Sequence, residues 1–72
     1  MRTTERPLTD RQKQLLRAVE RLSSELGYPP SMGEVAEVMG VARSRAGALA
    51  RRLVARGRLS NRPNIPRSWR VL

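Results

Sequence analysis

The chain has 72 residues, enough for one small domain with one core and too few for a second catalytic unit. Its 15 basic and 6 acidic residues give a net charge of +9, and all the basic residues but Lys13 are arginine. That balance points to a polyanionic partner, although GC-rich codon usage explains the arginine-for-lysine bias equally well. With no cysteine and no histidine, a disulfide framework, a zinc site and a histidine base are excluded. No cofactor, metal or small-molecule ligand is expected.

The start of the chain, MRTTERPLTD, is polar, and no apolar run approaches the roughly 18 residues needed to span a bilayer. A cytoplasmic, nucleoid-associated protein with no membrane partner is the expectation. Residues 1–7 read as a flexible basic arm, and residues 8–72 as the folded domain.

At Thr9 the pattern becomes helical. Thr9 and Gln12 have capping-box spacing, and Leu15, Val19, Leu22 and Leu26 follow at helical intervals. A helix from about Asp10 to Leu26 is predicted, ended by Gly27 and by the pair Pro29–Pro30.

Ser31 and Glu34 form a second capping box, opening a short helix with Val35, Val38 and Met39 inward and Gly40 at its end. A third helix is expected from Arg43 or Ser44 to about Arg56, with Ala46, Leu49, Ala50 and Leu53 on its apolar side. Residues 31–57 thus have the form of a helix-turn-helix. Past Gly57 the pattern alternates, predicting two short strands at residues 58–60 and 68–72 joined by the proline-braced segment 61–67. Leu59, Trp69 and Val71 face the helices, and Tyr28–Pro30 is a candidate third strand. The fold class is mainly α with a small β-hairpin (α+β), a winged helix-turn-helix of three helices followed by a two-stranded wing.

This order of elements is suited to reading duplex DNA. A recognition helix needs long or polar residues toward the bases and an apolar face against its own core. Arg43, Ser44 and Arg45 stand at the end that enters the major groove first, Gly47 and Ala48 are small enough for close approach, and Arg51 and Arg52 fall where phosphates run. Ser31, capping the second helix, offers a helix N-terminus to a phosphate. On the wing, Arg62, Asn64 and Arg67 are candidates for the backbone or minor groove. If about five or six phosphates are neutralised, log affinity falls against log salt with a slope near −5.

Trp69 belongs with the core rather than with base stacking, since the only other aromatic is Tyr28. Neither Ser44, Ser60 nor Lys13 has a positioned base, so an enzyme is not expected.

Several motifs together resemble a known family. They are LT-x-RQ at Leu8–Gln12, G-x-PPS at Gly27–Ser31, E-x-A at Glu34–Ala36, Gly40, Leu53, Gly57 and the closing R-x-x-R-x-L at Arg67–Leu72. The set is similar to the N-terminal DNA-binding domain of the LexA repressors, over nearly all the chain from Leu8 onward.

The resemblance implies a winged helix that reads operator DNA with its third helix, at Arg43 to Ala48, uses a wing at Asn61 to Arg67, and represses transcription as a dimer. The turn is about one residue shorter than in that family. Acidic residues found early in the family's recognition helix are replaced by Gly47, Ala48 and arginines, which implies a different operator. The self-cleaving serine-lysine peptidase half has no counterpart before Leu72. Autocleavage is therefore not expected, and a stand-alone small regulator is preferred to an excised domain.

The expected function is sequence-specific binding of double-stranded DNA by a transcription regulator, a repressor in preference to an activator, pairing as a homodimer on DNA. Two alternatives stay open: a winged-helix adaptor for RNA polymerase or another regulator protein, and a nonspecific basic DNA-binding protein.

Overall fold

The computed structural model describes residues 7–62, 65 and 67–72. Apart from Pro7, the arm expected at residues 1–7 lies outside the described residues, as does Asn64. The first helix, α1, spans Asp10–Leu26. Its start is closed by reciprocal hydrogen bonds, the Gln12 amide donating to Thr9 Oγ1 at 3.1 Å and the Thr9 amide to Gln12 Oε1 at 3.0 Å. Gly27 ends it, its amide donating to the Ser23 carbonyl at 2.9 Å.

The second helix, α2, covers Met32–Met39 and is capped in the same way by Ser31 and Glu34. Gly40 follows at φ 71°, and the Val41 amide reaches back to the Ala36 carbonyl at 3.1 Å. A side chain is disfavoured at that backbone angle, which is why glycine sits where the helix must stop and turn. The third helix, α3, is Arg43–Ala55, and Ala42 before it supplies no side-chain cap.

The strands β1, Leu59–Ser60, and β2, Arg70–Val71, pair antiparallel with Leu59 opposite Val71 and Ser60 opposite Arg70. Tyr28–Pro30 is not a strand. Neither Pro29 nor Pro30 has an amide hydrogen to give a ladder, and Pro30 is instead fully buried.

The core lies where the three helices and the root of the wing meet. Leu15 and Val19 of α1, Val35 of α2, Leu53 of α3 and Leu59 of β1 are its largest fully buried apolar side chains besides Pro30, with Ala46 and Ala50 completing the face of α3. Trp69 and Val71 pack on it half-buried, as expected for the wing.

Two expectations about the core also change. Val38 is 48% exposed, because the inward stripe of α2 is Met32, Val35, Ala36 and Met39, and a residue next to Met39 lies about 100° around the helix. Leu49 is only half-buried and stands at the rim toward α1, while Ala46, Ala50 and Leu53 take the centre. Gln12 is the one buried polar side chain among the described residues, and its Oε1 also accepts from Arg56 Nη1 at 3.4 Å. That contact ties the end of α3 to the start of α1. Among the described residues, no helix is long and apolar enough to cross a membrane.

Candidate nucleic-acid interface

The burial of Ala46, Ala50 and Leu53 decides which side of α3 faces outward. At about 100° per residue, the opposite side carries Ser44, Ala48 and Arg51 on its crest, with Arg45 and Arg52 flanking on one edge and Arg43 and Gly47 on the other. Arg43, Ser44, Arg45, Ala48, Arg51 and Arg52 are all exposed, and Gly47 is half-buried. None of the four arginines makes a side-chain hydrogen bond or ion pair with another described residue. By contrast, Arg21 pairs with Glu25 at 3.0 Å and Arg11 donates to Gln14 at 3.2 Å on the outer face of α1. The α3 face thus carries uncompensated positive charge, and the helix has no acidic residue in its first turn.

Two shallow grooves run along the flanks of this helix. On the wing side, Arg43, Ser44, Gly47 and Arg51 stand above Met32 and Trp69. On the other side, Arg45, Ala48 and Arg52 face Thr9, Gln12 and Leu49. A Cβ placed on Gly47 would meet only the far end of Arg51 at 4.0 Å, so the space beside the helix is open at that point. The residues expected from Arg43 to Arg52 are therefore brought together on one contiguous surface.

Ser31 lies at the start of α2, but both its capping groups are engaged. Ser31 Oγ accepts from the Glu34 amide at 3.2 Å, and the Ser31 amide donates to Glu34 Oε1 at 2.9 Å. The carboxylate of Glu34 therefore occupies the positive end of the helix, the favourable place for an anion.

The wing residues divide. Arg62 is exposed, and its amide donates to Ser68 Oγ at 2.9 Å, while that hydroxyl reaches the Ile65 carbonyl at 2.8 Å. Arg67 is not a free cation. Its Nη1 donates to Glu34 Oε1 at 2.7 Å and its Nη2 to Glu34 Oε2 at 3.0 Å, and its guanidinium lies 5.2 Å from the Tyr28 ring centre. The hydrogen bonds from Arg67, with lesser help from the Ser31 amide, hold the Glu34 carboxyl below its usual range, and the same pairing raises the Arg67 guanidinium.

Sequence reasoning placed Arg67 on the wing but missed Ser68, Tyr28 and the partnership with Glu34. The ion pair joins residues 33 apart, beyond any local spacing rule. Ser68 had a weak signal, as a hydroxyl residue closing a proline-containing loop.

A family model for the LexA DNA-binding domain matches residues 5–68. The LexA repressor of Streptomyces coelicolor is 34% identical over 67 residues, covering 89% of this chain and 28% of that protein. That of Arthrobacter sp. FB24 is 38% identical over 66 residues, covering 90% and 26%. That of Geobacillus thermodenitrificans is 37% identical over 67 residues, covering 90% and 32%. The chain thus spans roughly a quarter to a third of the length of these relatives, and the family model that matches is that of the DNA-binding domain.

Proposed function

This chain belongs to the LexA DNA-binding domain family, and on that premise we propose that it binds one preferred sequence of double-stranded DNA and represses transcription by occupying it. The observation that carries the reading is the outer face of α3, where four arginines stand exposed with no side-chain partner among the described residues, beside a hairpin wing. Like charges crowded on one face repel one another and raise the local concentration of anions, and a polyanion seated there relieves the repulsion.

Residues 8–72 are the binding unit in this reading. Arg43, Ser44 and Arg45 read base edges, where arginine makes bidentate bonds to guanine and serine serves several bases. Gly47 and Ala48 let the helix backbone approach, and Arg51 and Arg52 hold phosphates. In the same reading the capped end of α2 at Ser31 and the wing residues Arg62 and Asn64 contact the flanking backbone or minor groove, while Arg67, engaged by Glu34, serves the wing rather than a phosphate.

Binding without catalysis is the activity, and two copies pair on DNA to read two half-sites, with the nucleoid as the site of action. Selection of bound duplexes from a random-sequence library tests this. An enriched palindrome is expected; retention of all duplexes with equal strength would refute sequence-specific reading.

A further inference from the structure

The wing is lightly built. Its ladder has two residues on each strand, and a two-stranded hairpin of that length does not hold its own shape in water. Ser68 closes the loop on itself through Arg62 and Ile65, which shapes the loop without attaching it to the helices. Leu59, Trp69 and Val71 seat the strands on the core, and the loop beyond them is tied to the helices at Arg67.

Three features meet there. The planar guanidinium is engaged by both carboxylate oxygens of Glu34, at 2.7 and 3.0 Å, and a two-point fork sets angle as well as distance. Tyr28 lies beneath it, 49% exposed, so that its ring serves as a platform more than as core. Arg67 also holds φ at 57°, the only positive φ of a residue other than glycine among those described. Such a conformation persists where the surroundings over-determine it. Glu34 is itself anchored, since its Oε1 accepts the Ser31 amide at the cap of α2.

We propose that Glu34, Arg67 and Tyr28 form a latch that holds the wing against the start of α2, with Arg67 acting as a positioning residue for the wing. Its effect on binding rests on the DNA-binding reading above; the latch itself does not. By pairing with Glu34, Arg67 also cancels a negative charge at the end of α2 that approaches a phosphate. A freed wing would carry Arg62 away from a set position, and the free Glu34 would repel the backbone.

Substitution Glu34→Gln separates this role from direct phosphate contact. Glutamine still caps α2, so the helix is kept, while the charged fork is lost. A latch predicts weaker binding, about threefold to fivefold, to the duplex selected by the wild type. Direct contact predicts tighter binding, because a negative charge is removed and Arg67 is released.

Trp69, the single tryptophan, is half-buried two residues from Arg67 and reports the wing without DNA. In the free protein, Glu34→Gln, Arg67→Ala and Arg67→Lys should each red-shift its emission and speed acrylamide quenching, with helical circular dichroism unchanged. Lysine keeps the charge but not the fork. Tighter binding by Glu34→Gln with Trp69 unmoved would overturn the latch. If Trp69 responds in all three variants while the wild type binds no duplex, the latch stands and the DNA reading fails.

Discussion

Salt dependence is the sharpest test of the interface, because structure restricts which arginines can displace counterions from DNA, Arg43 and Arg45 in the groove and the others at phosphates. Arg43, Arg45, Arg51 and Arg52 on α3 and Arg62 on the wing are exposed. Arg67 is compensated by Glu34 and drops out. Five cations per copy, at about 0.9 counterions each, give a slope of roughly −4.5 in log affinity against log salt. Raising KCl fourfold, from about 50 to 200 mM, should then weaken binding about 500-fold.

The double substitution Arg51→Ala/Arg52→Ala leaves three, for a slope of roughly −2.7 and a loss of about 40-fold over the same range. Both are buried in neither core nor cap, so the fold is expected to survive. Fluorescence anisotropy with a labelled duplex carrying one half-site measures both slopes. A double variant that keeps a slope near −4.5 would show that phosphates are met elsewhere, and would refute the assignment of these two arginines.

Arg45→Ala should cost about 1 to 3 kcal/mol on the preferred duplex and relax selectivity at one base pair, as measured by competition with single-base variants; an equal loss on every sequence would make it a backbone contact. Leu53→Ala removes a fully buried side chain and should cost about 2 to 5 kcal/mol, lowering the thermal midpoint by at least about 10 °C. Leu49→Ala, at the half-buried rim, should cost less than half as much, and equal midpoints by circular dichroism would contradict the placement of the core.

The depressed carboxyl of Glu34 gives a pH signature. Its folded form binds protons less readily than the unfolded chain, so its stabilising pairing is fully present above the ordinary glutamate range and is lost as pH falls through the lowered value. Thermal unfolding from neutral pH to pH ~3 should show an acid loss that is smaller in Glu34→Gln.

Much of the fold was legible because the signals that carry it are local. A capping box spans four residues, so Thr9 with Gln12 and Ser31 with Glu34 announced the two helix starts that the structure shows. Gly40 marked the turn, and the apolar intervals in α1 and α3 are within the reach of a helical period. Arg43 to Arg52 followed from the same periodicity, since the side opposite an apolar stripe is the outward side.

The sequence by itself therefore determined where the helices begin and end, that the chain is strongly basic, and that one helix turns arginines outward. Only the tertiary structure decided how those elements divide the shared surface. It turned Val38 out, moved Leu49 to the rim, and left Tyr28 exposed beneath Arg67. It also paired Arg67 with Glu34 across 33 residues, so that this wing arginine is a compensated charge. Such outcomes depend on which faces meet when three helices and a wing pack together, and no spacing within one segment carries that information.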